Sequence, residues 1–192
     1  MGSALKLNLT FIGGGKIAQA MIQGLMKQET KSKVMIRAVD PNENRVSELR
    51  AKGHIAEFEF NEKMARDTDV LILAVKPQQS AEVLRTLTNN PLKKSSLILS
   101  VVAGLPLQKI ADAHPGTLSL IRAMPNTPAT IGKGITVWIG SSETSASHFE
   151  TTQLILRASE FLFLGRCHII LIYTQFCRTD TDVFCSTLFS HK

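Results

Sequence analysis

The chain has 192 residues, 44% of them hydrophobic and 20% charged, which suits one domain, or one domain with a small appendage, built around a sizeable core. No run of about 18 apolar residues is present to span a membrane, and the opening MGSALKLNLTF has no apolar signal region and, with Lys6 at the sixth position, no myristoylation pattern; a cytoplasmic address is expected. The net charge of +6 is scattered among acids, as in KQETKSKVMIRAVDPNENR, without the aromatic-interleaved basic stripe of a nucleic-acid surface.

In chain order the text alternates between strand-like and helix-like segments. LNLTFI (Leu7–Ile12) turns fully apolar before three glycines, as a buried parallel strand should. From Gly15 to Lys27, Ile17, Met21, Leu25 and Met26 recur at helical spacing, with Gln19, Gln23 and Lys27 on other faces. VMIRAVD (Val34–Asp40) is the next strand, and Pro41 then leads a helix that Gly53 closes. A short strand at His54–Phe58 precedes a polar helix at Asn61–Arg66. DVLILAVKP (Asp69–Pro77) is the most hydrophobic strand and belongs at the centre of the sheet. A helix at Ser80–Leu87, a strand in SSLILSVVAG (Ser95–Gly104) and a helix at Pro106–Ala113 follow, and LSLIRAMPN (Leu118–Asn126) continues the alternation. ITVWIG (Ile135–Gly140) is a strand, and SSETSASHFETTQLILRASEFL reads as a helix with a Ser/Thr-rich entry. This rhythm predicts an α/β fold: a doubly wound, mostly parallel sheet covered on both faces.

The glycines have a definite use in that setting. Gly13, Gly15 and Ala18 fill G-x-G-x-x-A between a strand and a helix. There the first glycine allows the tight turn, the second lets backbone approach a pyrophosphate, and the third position keeps helix and strand close. A Walker A loop is excluded, because Thr10 and Ile17 stand where its first glycine and its hydroxyl would be. Asp40, 27 positions past Gly13 at the end of the second strand, can bond the hydroxyls of an adenosine ribose, or cap the helix that follows with Pro41 at its first position. Its charge opposes a 2′-phosphate, while Arg37, Asn42 and Arg45 offset that, so both NAD and NADP fit. Lys76 in AVKP and the small residues of SVVAG fall at further strand ends, where ligands of open α/β sheets bind.

Taken together, FIGGGKIAQAMIQGL, DVLILAVKPQ, ILSVVAGLPLQKI and IRAMPNTPATIGKG resemble pyrroline-5-carboxylate reductase, from Leu7 to Leu164. AVKP and MPNTP carry more of the resemblance than the glycine turn does. It implies a Rossmann-type NAD(P)-binding domain over 1–164, a following helical domain that builds a homo-oligomer, and hydride transfer from NADH or NADPH to the C=N bond of 1-pyrroline-5-carboxylate, giving L-proline. It places Ile12, Gly13, Gly14, Gly15, Lys16 and Ile17 on the pyrophosphate, and Asp40 and Asn61 on the adenosine side. Ala74, Val75, Lys76 and Pro77, with Val101, Val102 and Ala103, would line the cofactor toward its nicotinamide. Met124, Asn126 and Thr127 would lie near the reacting ring. It names no covalent nucleophile, so the catalytic residue is left open.

The chain departs from this pattern twice. Lys16 stands where the family commonly has an uncharged polar residue. After Leu164, residues 165–192 hold nothing like the SGSGPAY-type segment that receives the substrate carboxylate, and they read as a tail in place of the helical domain. All three cysteines (Cys167, Cys177 and Cys185) fall there, with His168 and His191, at spacings that match no zinc site; free thiols and no metal are expected. A second function is therefore expected beside the reductase: a catalytically incomplete, cofactor-binding chain that acts through a full-length partner.

Overall fold

Along each central strand, successive side chains enter two different cores, and that alternation builds the molecule. The computed structural model describes residues 6–27, 33–114, 116, 119–125, 135–158 and 162–163. Its strands are β1 (Leu7–Ile12), β2 (Val34–Val39), β3 (Ile55–Glu57), β4 (Val70–Leu73), β5 (Leu97–Ser100), β6 (Ser119–Pro125), β7 (Ile135–Gly140) and β8 (Leu162–Phe163). They form one sheet in the order β3-β2-β1-β4-β5-β6-β7-β8. Pairing is parallel from β3 to β6, antiparallel between β6 and β7, and parallel again between β7 and β8.

The helices are α1 (Lys16–Leu25), α2 (Glu43–Ala51), α3 (Glu62–Asp67), α4 (Ser80–Asn89), α5 (Leu107–Ala113) and α6 (Ala146–Ala158). On one face, Leu9, Phe11, Ile36, Val70, Ile72, Leu97, Leu99 and Ile121 meet Met21 and Leu25 of α1, Val46 and Leu49 of α2, and Ile155 and Leu156 of α6. On the other, Ile12, Val39, Leu71, Leu73, Ile98 and Leu120 meet Met64 and Ala65 of α3, Leu87 of α4 and Ile110 of α5. β4 sends Val70 and Ile72 to the first core and Leu71 and Leu73 to the second, and all four are essentially inaccessible. Burying each such side chain contributes about 1.5–3 kcal/mol, so the most hydrophobic segment sits inside the sheet, as expected.

Several boundaries differ from the sequence reading for local reasons. α2 begins at Glu43 with Asn42 as its N-cap, whose side chain accepts from the Arg45 N–H at 3.2 Å. Asp40 is therefore not the cap, and Pro41 lies before the helix. At the other end Gly53, at φ +80°, does close α2. Its N–H donates to Arg50 O at 2.9 Å and that of His54 to Leu49 O at 3.0 Å, a Schellman motif. β4 stops at Leu73, and Pro77, without an N–H, opens a single 3₁₀ turn, Pro77–Gln79. The last helix ends at Ala158, and Leu162, expected inside it, belongs to β8. Residues 164–192, with the three cysteines, lie outside the described residues, as do Asn126 and Thr127. Among the described residues no helix is long and apolar enough to cross a membrane.

Candidate functional site

β2 and β3 lie on one side of β1, while β4, β5 and β6 lie on the other. The chain thus reverses its direction of travel across the sheet between β1 and β4, which is where ligands of open α/β sheets bind, at the carboxyl ends of the strands. Backbone bonds carry the ladder past the strands into that region. Gly13 N–H donates to Val39 O at 2.8 Å, Ala74 N–H to Ile12 O at 2.9 Å and Val101 N–H to Leu73 O at 2.9 Å.

The three glycines occupy three different surroundings. Gly13 adopts φ +102°, and a Cβ there would stand 2.5 Å from Ala74 O, so the turn packs directly on the residue that follows β4. Only glycine meets both demands. At Gly14 a Cβ would meet Leu49 of α2 at 3.1 Å. Above Gly15 nothing lies within 4 Å. Gly15 is also the N-cap of α1, and no side chain bonds the amides of its first turn. A helix start with unclaimed N–H groups and open space above a glycine is suited to a phosphate, which takes both the donors and the positive end of the helix. Lys16 is exposed beside it and adds positive charge there.

Asp40 closes the turn from behind. Buried at 2% exposure, it accepts from Gly14 N–H at 2.7 Å and Arg45 Nη1 at 3.0 Å on Oδ2, and from Asn42 N–H at 2.9 Å on Oδ1. Gln19, read from the sequence as lying on another face of α1, instead reaches back: its Nε2 donates to Gly14 O at 3.1 Å, and its Oε1 accepts from Lys52 Nζ at 3.0 Å. Its position five residues past Gly14 would have been the only signal, and many helical glutamines share it.

The remaining candidates divide. Ile12, Val101 and Val102 turn their side chains into the cores, so they can offer a ligand only backbone. Ala74 and Val75 are half-buried beside Gly13, while Lys76, Pro77 and Ala103 are exposed. Asn61 lies at the start of α3, beyond β3, where its side chain accepts from Met64 N–H at 3.0 Å as the N-cap. Met124, 41% exposed, stands opposite Val137 on the β6–β7 pair. Among the described residues no three His, Cys, Asp or Glu side chains gather as metal ligands would.

Residues 8–104, just over half of the chain, match the family model described as NADP oxidoreductase coenzyme F420-dependent. The chain belongs to that family. Within it, this member is 36% identical over 150 residues to the pyrroline-5-carboxylate reductase of Haemophilus influenzae, covering 78% of this chain and 54% of that protein. Among solved structures, the pyrroline-5-carboxylate reductase of Coxiella burnetii superposes with a TM-score of 0.74 at 25% identity, over 84% of this chain and 60% of that one. The pyrroline carboxylate reductase of Plasmodium falciparum, solved with NADP bound, shares the fold at a TM-score of 0.67 and 21% identity, over 90% of this chain and 62% of that one. The chain spans about half the length of the curated relatives it matches.

Proposed function

We propose that the described α/β unit binds NAD(P)H at the glycine turn and that the protein reduces 1-pyrroline-5-carboxylate to L-proline, in the cytoplasm. The observation that carries the reading is the open space above Gly15, at the uncapped start of α1 and beside the reversal between β1 and β4. The similarity to pyrroline-5-carboxylate reductases supports the choice of substrate. We assign residues 1–164 to the cofactor unit and 165–192 to a separate segment.

When bound, the cofactor supplies a hydride for the C=N carbon. The chain's own residues position and exclude. The amides at Gly15–Ile17 take the pyrophosphate. Asp40, through Gly14, fixes the turn that presents them, while Asn61 starts the helix nearest the adenosine side. The backbone at Ala74–Pro77 and Val101–Ala103 would line the nicotinamide side, and Met124, Asn126 and Thr127 are the residues assigned to the imine. None of the described side chains needs to act as a covalent nucleophile. A protonated imine accepts a hydride more readily than a neutral one, so a site that leaves the substrate cationic is sufficient.

A second reading is that the α/β unit holds the cofactor and the reduction itself needs a partner. NADPH oxidation, followed at its nicotinamide absorbance with 1-pyrroline-5-carboxylate added, separates the two. Turnover by the purified chain is the result expected of the reductase. Cofactor binding without turnover supports the second reading, and binding of neither dinucleotide overturns both.

A further inference from the structure

Two peptides of the glycine turn lie between glycines, and they are held in different ways. The Gly13–Gly14 peptide has its N–H on Asp40 Oδ2 at 2.7 Å, and Gly13 packs so closely on Ala74 that a Cβ would stand 2.5 Å from its carbonyl oxygen. The Gly14–Gly15 peptide lacks that confinement. Nothing lies within 4 Å of where a Gly15 side chain would be, and a peptide flanked by two glycines turns over with little steric resistance. Its carbonyl is held by one side chain, because Gln19 Nε2 donates to Gly14 O at 3.1 Å. The backbone N–H of the same Gln19 donates to Gly15 O at 2.9 Å. Gln19 therefore grips the turn at two successive carbonyls.

The Gln19 amide is itself oriented from α2. Its Oε1 accepts from Lys52 Nζ at 3.0 Å, just past the end of that helix, and its Nε2 also donates to Glu48 Oε2 at 3.1 Å. A primary amide has two N–H donors, so one serves Glu48 and the other Gly14 O. The ammonium draws the amide oxygen and the carboxylate draws the amide nitrogen, which leaves the donor facing the turn. In a planar trans peptide the C=O and N–H point opposite ways. Holding Gly14 O toward Gln19 therefore sends Gly15 N–H to the other side, away from α2. A reversed peptide would instead present a carbonyl oxygen where an anion approaches the start of α1, and that contact is repulsive.

We propose that Gln19, oriented by Glu48 and Lys52, is a positioning residue that keeps the Gly14–Gly15 peptide turned with its N–H toward an incoming pyrophosphate. The proposal rests on the dinucleotide reading above and goes beyond it by naming the side chain that sets the donor before the ligand arrives. Gln19 touches neither cofactor nor substrate in this role. It acts through a backbone carbonyl, and it serves NADH and NADPH alike.

Calorimetric titration of the full chain with NADPH and with ADP tests it, beside ¹H–¹⁵N spectra of the chain labelled at glycine. Gln19→Met keeps the length of the side chain without its donor, and it is expected to bind both ligands about three- to tenfold more weakly. Gln19→Glu, which sets an acceptor against Gly14 O, is expected to lose at least as much. Gln23→Met, on an exposed position of the same helix, is expected to bind as the wild type does. On saturation with ADP the Gly15 amide resonance should move further in Gln19→Met than in the wild type, because the peptide must turn before it bonds. Wild-type affinity in either Gln19 variant overturns the proposal, as does weaker binding with equal movement of the Gly15 resonance, or a matching loss in Gln23→Met. A Gln19→Met protein that melts more than a few degrees below the wild type makes Gln19 a residue of folding and overturns it too. Binding of neither ligand by the wild type overturns the underlying reading, a result distinct from all of these.

Discussion

Gly13 and Gly15, two positions apart, meet opposite surroundings, and a sequence pattern cannot tell which is which. A side chain at Gly13 would strike the backbone of Ala74 at 2.5 Å, whereas one at Gly15 would enter open space. The first glycine is therefore a requirement of folding and the second a requirement of whatever approaches α1. His114 presents a different residue-scale case. It is 5% exposed, its Nε2 accepts from Leu92 N–H at 2.8 Å, and its Nδ1 has no partner. Burial lowers its pKa below the usual imidazole value, and burial with the nearby Lys52 charge lowers that of His54 as well. Each ring therefore takes up a proton less readily in the folded state than in the unfolded one. The unfolded chain thus binds more protons below about pH 6.5, and stability falls as pH drops through that range. Denaturant titrations between pH 8 and 5.5 should show this loss, with a shallower slope in His114→Asn. An unchanged slope in that variant would place the proton uptake elsewhere.

At the scale of elements, the sheet is joined at the end opposite the glycines by a chain of buried hydroxyls. Thr68 donates to Met64 O at 2.6 Å, so Thr10 of β1 is the donor in the 2.7 Å contact between their hydroxyls. Ser96, just before β5, donates to Thr68 O at 2.7 Å. Thr68→Val removes the acceptor of the Thr10 hydroxyl and a donor to Met64 O and should cost about 1–3 kcal/mol. Thr10→Val together with Thr68→Val removes donor and acceptor at once and should recover part of that loss. Unfolding free energies of the two single variants and the double variant check this, and simple additivity would show that the hydroxyls act independently. No local pattern marks this chain of contacts, because Thr10 and Thr68 lie 58 positions apart and Thr68 and Ser96 another 28.

At the scale of the molecule, the order of elements was legible because apolar runs and punctuating residues repeat with a clear rhythm. LNLTFI, VMIRAV and VLIL became β1, β2 and β4 at or inside the expected limits, and Gly53 closed α2 as a glycine of that kind should. The failures were tertiary. Asp40 and Asn42 are equally good caps by residue type, and what decides between them is Gly14 N–H, 26 positions away, which claims Asp40. Gln19 reads as a surface residue until α1 is set beside the turn and Lys52. Leu162 continues a helical pattern, yet it pairs with Ile135 in the sheet. In each case a partner distant in sequence overrode a sound local preference.

The central claim is that the pyrophosphate of a dinucleotide sits above Gly15, at the start of α1. Calorimetric titration of NADPH into the chain and into Gly15→Val tests it most directly. Gly15 has an ordinary φ of −71° and no neighbour within 4 Å, so the variant should melt within a few degrees of the wild type. The account predicts single-site NADPH binding by the wild type and a loss of about tenfold or more in the variant. Equal affinity in the two folded proteins, or no binding by the wild type, would contradict it.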